Sequence, residues 1–510
     1  MPFERGAPPW APAGGGHGEA MAAGLEFDGD LSPRGRRLVT LALLLGTFLT
    51  ALDVLVVAPA MPSVVADLGG FALYPWVFSA YLLAATATTP VFGHLSDIRG
   101  RKRLYLLGLS LFVGGSALSG TAWSMEVLVA MRALQGLGAG ALVPVTLTLV
   151  GDLHGTEGRA RMQGVFSSVW GVASVVGPPV GGALVEHAGW RWVFYLNVPF
   201  GLAAGWLIHR HLHEPRGPSR IRGLDLPGAL ALAVGLAGLL YALHCPGRGG
   251  GGIEVGVLAV LGVGLLVVFA FRERQAAEPL VDPSLWRDRT LVAANAGGFL
   301  GFAALYCATA FVPLLVRGVF GASAQAAGLA LMPLSLAWLA GSAAAGRLLV
   351  RAGYRASVGL GGACIAIGCG GLVAASQGTG GFQIHSAMAV LGAGMGLAMT
   401  GFIVAAQGAA PPGRMGMATS SVHFFRSLGG AVGVAVLGAV MLAGLRGQGI
   451  EPSGIGSVAG EARLTVSPEA LAAALQPVFA SGLAFALGAW GAGLAMPGKA
   501  ARGGPPPRPA

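Results

Sequence analysis

LVTLALLLGTFLTALDVLVVAPAMP, residues 38–62, is an apolar run that carries a single charge, Asp53. At about 1.5 Å per helical residue it reaches across a hydrocarbon core of about 30 Å. Asp53 therefore falls inside a membrane span. A carboxylate there costs several kcal/mol unless it is protonated, paired or facing water, so it marks function before structure. The other 21 of the 22 Asp and Glu residues fall in tails, loops or span ends.

Composition extends this reading to the whole chain. The sequence of 510 residues is 54% hydrophobic and 11% charged, against about 25% charged in soluble domains. Long apolar runs recur throughout, which predicts an all-α polytopic membrane protein. The net charge of +10 does not point to nucleic acid, because the arginines lie in short loops between apolar runs. None of the four cysteines has metal-ligand spacing to histidine, so they read as small buried thiols, and no metal or cofactor is expected. No phosphate-cradling G-x-x-x-x-G-K-[ST] motif, metal-spaced His/Cys cluster or second in-membrane carboxylate is present, so neither ATP hydrolysis nor a soluble-type enzyme is expected.

Fourteen helical spans are predicted, near 38–62, 74–95, 104–123, 126–150, 161–185, 190–209, 225–245, 253–271, 290–313, 324–345, 356–376, 382–405, 416–442 and 470–496. Most of the 32 Lys and Arg residues then fall on one side. The opposite side holds Arg191, Arg248, Arg317, Arg446 and Arg463, and Arg132 and Arg426 lie within spans. The positive-inside rule places both termini in the cytoplasm. Tyr74 and Trp76, and Trp190, Trp192, Phe194 and Tyr195, sit where an outer aromatic belt is expected.

An internal repeat divides the chain. Gly93-His-Leu-Ser-Asp97-Ile-Arg-Gly100-Arg101-Lys102-Arg103 follows the second span, and Gly346-Arg-Leu-Leu-Val350-Arg-Ala-Gly353-Tyr-Arg355 follows the tenth. The expected organisation is a disordered cytoplasmic tail at 1–36, a six-helix bundle at 37–210, two inserted helices at 211–289, a second six-helix bundle at 290–497 and a tail at 498–510. Two packed halves around a central site is a transporter plan.

These motifs resemble the major facilitator superfamily, and within it the fourteen-span drug/proton antiporters of the EmrB/QacA type, over nearly all of residues 38–496. Gly93, Asp97, Gly100, Arg101 and Lys102 match the cytoplasmic signature G-x-L-x-D-x-x-G-R-K-x, which in the family is a latch on the outward-open state; a basic loop that only fixes orientation is the plainer alternative. Val350 replaces the acid in the second copy. Leu52-Asp53 through Pro62 is similar to the first-span motif of the fourteen-span group, with Leu55 where that motif has Thr; the resemblance makes Asp53 a proton-coupling residue. Arg132-Ala-Leu-Gln135-Gly136-Leu-Gly138-Ala-Gly140 is similar to R-x-x-Q-G-x-G-x-[AG]. Counted along the helices, Asp53 lies roughly 22 Å and Arg132 roughly 21 Å from the inner face. Arg132 is thus expected to face Asp53 or share its aqueous cavity, with structural capping of carbonyls as the alternative. Gly171, Gly177, Pro178, Gly181 and Gly182 resemble the motif G-x5-G-P-x-x-G-G, which in the family marks antiporters rather than importers and so implies export; simple helix packing is the alternative and explains the glycines well. Trp190 through Asn197 to Gly201 strengthens the fourteen-span match.

Gln135 and Arg426 are candidate substrate-cavity residues; Arg426 binds substrate or satisfies carbonyls of the other half. The resemblance implies proton-coupled antiport of amphipathic drugs or antibiotics by alternating access in the inner (plasma) membrane. Expected partners are those small molecules, protons and the bilayer, with a periplasmic adaptor protein as a further candidate and no nucleic acid. An importer of a polar nutrient and a non-transporting membrane sensor are the alternatives.

Overall fold

The computed structural model describes residues 32–212, 226–244, 252–275, 288–375, 381–410, 415–451, 457–458, 461–464 and 466–497. The terminal tails and most of the loops flanking the inserted helices lie outside these residues. Among the described residues the secondary structure is helical apart from one short antiparallel pair, in which Ser457 opposes Leu464 and Val458 opposes Glu461.

The helices in chain order are α1 Pro33–Leu68, α2 Tyr74–Arg99, α3 Arg101–Gly120, α4 Met125–His187, α5 Arg191–Tyr195, α6 Asn197–His211, α7 Leu226–His244, α8 Gly252–Gln275, α9 Arg289–Leu314, α10 Ala324–Ala375, α11 Gly381–Ala409, α12 Met415–Gly447 and α13 Pro468–Leu494. Eleven stretches among the described residues are long and apolar enough to cross a membrane. In hydrocarbon every backbone polar group must be satisfied internally, so apolar runs of this length fold as helices. Polar residues start and stop them. Ser124 and Ser467 cap α4 and α13, and Asp288 accepts from the amides of Thr290 and Leu291 at the start of α9.

Five predicted spans differ in detail. The fourth and fifth belong to one helical run, α4, whose apolar stretches are Met125–Val150 and Val169–His187. The intervening segment has glycines but no proline to stop a helix. The sixth is divided into α5 and α6. The tenth and eleventh form α10, broken at Gly353, whose φ of 78° and ψ of 175° are non-helical. Gly100 plays the same part between α2 and α3 with φ 96°, a conformation open to glycine without strain.

α1 packs on α4 and α6, and α2 and α3 pack on α4. In the second half α9 packs on α12 and α13, and α10 on α11. The halves meet through α4 on α10, α2 on α12 and α1 on α9. α7 and α8 pair with each other, and α7 rests against α2 and α12. α8 leaves Val257, Val260, Leu261, Val263 and Phe271 exposed, the pattern of a surface turned to lipid.

Contacts between the halves gather at the end where α1 finishes at Leu68. There the Tyr74 hydroxyl donates to the Ala310 carbonyl and Arg317 donates to the Ser63 hydroxyl. Glu186 Oε2 accepts from the Gln325 amide at 3.2 Å.

Candidate functional site

The centre of the first half is a buried polar network. Asp53, on α1, is 2% exposed, and Arg132, on α4, is 1% exposed. Arg132 Nη1 donates to Asp53 Oδ2 at 2.6 Å and to Gln135 Oε1 at 2.6 Å. Gln135 Nε2 turns back to donate to Asp53 Oδ1 at 2.8 Å, closing a ring of three side chains. Asn197, at the start of α6, donates to the same Oδ1 at 3.1 Å and to Ser116 Oγ at 3.0 Å. Ser116 in turn donates to the Phe194 carbonyl at 2.8 Å. Arg132 Nε donates to the Val77 carbonyl at 3.3 Å, and its guanidinium lies over the Tyr81 ring, 4.2 Å from the centroid.

The network draws on α1, α2, α3, α4 and α6 at unusually short range, and small residues supply it. A Cβ on Gly138 would sit 2.3 Å from the Phe112 amide nitrogen and 2.5 Å from the Gly108 carbonyl on α3. A Cβ on Gly136 would sit 2.3 Å from the Tyr81 carbonyl on α2. The glycines of the Arg132 motif thus bring α2 and α3 against α4, and this sets Val77, Tyr81 and Ser116 around the guanidinium and its partners.

Electrostatically the site is closed on itself. Two opposite charges taken out of water are costly unless paired with good geometry and additional hydrogen bonds. Asp53 has three donors and Arg132 has two acceptors besides Asp53 and a ring face, so both conditions are met. A small pocket lined by Val54, Phe78, Tyr81, Leu82, Arg132 and Tyr306 opens beside the pair. Tyr306 comes from α9, so this pocket lies between the halves.

The sequence-predicted residues distribute as follows. Asp53, Arg132 and Gln135 meet in one network. Gly177 and Gly181 face the Asp53 helix: a Cβ on Gly181 would lie 2.6 Å from the Val56 carbonyl, and one on Gly177 3.0 Å from Leu55 Cβ. Gly182 faces the other half, where a Cβ would meet the Ala324 carbonyl at 2.6 Å, and Gly171 lies beside Leu339. The Pro178 carbonyl lies against Gly328 of α10. One motif on α4 therefore touches both the Asp53 helix and the opposite half. In the loop motif, Gly93 packs near Pro144, Arg101 opens α3, and Lys102 Nζ donates to the His209 carbonyl at 2.8 Å. The side chain of Asp97 lies outside the described residues. Arg426, on α12, is not part of the Asp53 network; its guanidinium lies over Phe302 at 4.3 Å.

In the sequence Asn197 is legible only as part of the 190–201 motif, with no site role, and Ser116 is not singled out at all. The available signal was an amide interrupting the apolar run Val193–Val198; its partner could not be read, because the contact spans residues 53 to 197.

A sequence model of the Major Facilitator Superfamily matches residues 43–434. The chain belongs to the major facilitator superfamily. It is a multi-pass membrane transporter of small molecules, not an enzyme. Among its relatives, the multidrug transporter protein MdtP of Bacillus subtilis is 36% identical over 410 residues, covering 80% of this chain and 75% of that one. Multidrug resistance protein 3 of the same organism is 34% identical over 406 residues, covering 79% of each. In fold, this superfamily member is similar to a bacterial homologue of the human lysosomal transporter Spinster in an inward-facing, unoccupied conformation. The TM-score is 0.64 at 18% identity, covering 91% of this chain and 98% of that one.

Proposed function

We propose that this transporter exports amphipathic drugs or antibiotics in exchange for protons, by alternating access, with Asp53 as the proton carrier and Arg132 as its counter-ion. The observation that carries this is the carboxylate held by Arg132, Gln135 and Asn197 at the centre of the first half. A charge that costly to bury is retained where it is used. Export is supported by the names of the relatives, a multidrug transporter and a multidrug resistance protein.

The contacts support the following cycle. With Asp53 ionised and paired, the halves are closed near Leu68 by Tyr74, Ser63–Arg317 and Glu186–Gln325. We assign that end to the outside and the Gly100 end to the cytoplasm, so this state loads substrate from the cytoplasm or the inner leaflet. When the outer end opens, a proton reaches Asp53 and releases Arg132, and substrate leaves. The Gly177–Gly182 segment is the mechanical link, because it lies against both Val56 and Ala324. One carboxylate implies low stoichiometry. In this reading the chain has fourteen spans, α10 and α4 each contributing two and α5–α6 and α7 one each. They form two six-helix halves with α7 and α8 inserted, and both termini are in the cytoplasm. Asp97, Gly100, Arg101 and Lys102 act as a cytoplasmic latch.

The test is export of a cationic dye and a neutral drug from membrane vesicles under an imposed pH gradient. Wild type should export, and Asp53→Asn should insert normally yet lose gradient-driven flux. Undiminished export by Asp53→Asn would remove Asp53 from the coupling path.

A further inference from the structure

The second half holds a buried cation without a counter-ion among the described residues. Between Arg289 and Ile450 the sequence has no Asp or Glu at all. Arg426 sits within α12, about 16 Å along the helix from Met415, deep enough that no span-end carboxylate of this half can reach it. Its Nε is buried and has no hydrogen-bond partner among the described residues. The guanidinium rests on the face of Phe302 on α9, and Phe302 packs edge-on against Trp338 of α10, centroids 6.2 Å apart. The residue as a whole stays partly open, so the guanidinium is enclosed at its base and not fully sealed. Asp53, the carboxylate expected at this depth in the first half, is already taken by Arg132.

The position relative to the central pocket is also defined. Gly430 is one helical turn beyond Arg426, and a Cβ there would meet the Tyr306 ring at 2.7 Å and Leu82 at 3.5 Å. Tyr306 and Leu82 both line the pocket between the halves, and Tyr306 is one turn beyond Phe302 on α9. Arg426 and Phe302 thus lie one turn below that pocket, on the side of the Gly100 end. A guanidinium in a low-dielectric site with an unused donor, one aromatic ring beneath it and a second ring packed against the first is suited to a planar aromatic body bearing a negative group.

We propose that Arg426, Phe302 and Trp338 form a substrate subsite selective for amphipathic organic anions, such as aromatic sulfonates and carboxylates, with Arg426 supplying the counter-charge. This rests on the export reading for its purpose, though binding at the subsite does not require it. Exchange of an anion for a proton also leaves the pair of charges at Asp53 and Arg132 undisturbed during loading, since the substrate has its own partner.

The test uses two probes with the same rings, anionic 8-anilinonaphthalene-1-sulfonate and neutral N-phenyl-1-naphthylamine. Binding to the purified full-length protein is measured by titration calorimetry, and export is measured in vesicles. Wild type should bind the sulfonate at least about ten-fold more tightly than the neutral probe, the scale of one hydrogen bond to a charged group. Arg426→Gln should lose that preference while keeping its affinity for the neutral probe, and Arg426→Lys should retain part of it. Phe302→Leu should weaken both probes, and it serves if Arg426→Gln does not yield folded protein. Equal affinities in wild type, or an equal loss of both probes in Arg426→Gln, would overturn the proposal. Export of the neutral probe without preference for the sulfonate would leave efflux standing and remove the anion subsite. Selective binding with no export of either probe would do the reverse.

Discussion

Removing one member of the Asp53–Arg132 pair should harm the protein more than neutralising both. Arg132→Leu takes away the 2.6 Å bond to Asp53, the bond to Gln135, the Val77 contact and the Tyr81 face. The pair's gross attraction is about 4 kcal/mol for unit charges at ~4 Å with an effective dielectric of ~20. Asp53 keeps two amide donors, Gln135 and Asn197, so the net loss should sit near the lower end of the roughly 3–5 kcal/mol seen when a buried pair is broken. Asp53→Asn leaves the guanidinium buried with Gln135, Val77 and Tyr81 and should cost a similar amount. In the combined Asp53→Asn, Arg132→Leu variant no charge remains, and the amide introduced at position 53 can hydrogen-bond with Gln135 and Asn197. The combined variant should therefore be more stable than either single one, with a coupling of about 2 kcal/mol or more. Apparent melting in detergent, followed by the fraction that stays monodisperse after heating, gives the rank order. Single variants melting with wild type, or a combined loss equal to the sum of the two, would refute the view that this pair is mutually required. Gradient-driven export should be absent from all three variants whatever their stability.

Gly182→Ala should push α4 away from the start of α10, because its Cβ would lie 2.6 Å from the Ala324 carbonyl, a backbone atom that cannot swing aside; a cysteine placed at Ser63 should then react faster with a membrane-impermeant maleimide, and an unchanged rate would contradict closure at that end. Gly138→Ala, 2.3 Å from the Phe112 amide, should cost about 1–3 kcal/mol and lower export although it touches no charged residue, with wild-type melting and flux as the contrary outcome. Asn197→Leu removes a donor from Asp53 and one from Ser116 and should destabilise by about 1–3 kcal/mol, whereas Asp67→Asn, which breaks the Arg191 pair whose side chains are 47% and 42% exposed, should change melting by less than about 1 kcal/mol; melting curves that rank the two the other way round would show that burial is not what sets their weight.

Much of the site was legible because its parts carry local signals. Asp53 is visible as a charge in an apolar run, and Arg132 as another at matching depth, since helical rise converts residue number into height. The glycines around Arg132 and in 171–182 mark close helix approach by spacing alone. Asn197 was not legible as part of the site, because nothing local tells an amide that binds a carboxylate from one that joins two helices. The division of labour inside 171–182 was equally hidden. Gly181 faces Val56 and Gly182 faces Ala324, and nothing in the order of residues assigns two adjacent glycines to different partners.

The sequence by itself determined the class of protein, the helical architecture and the relative position of each charge along its helix, because apolar run length and helical rise act along the chain. Only the tertiary structure decided who faces whom. It paired Asp53 with Arg132, added Asn197 and Ser116, and left Arg426 against Phe302 with no acid of its own half to meet it. The physical reason is that rotation of each helix about its axis is set by packing against its neighbours, and that packing joins residues far apart in the chain.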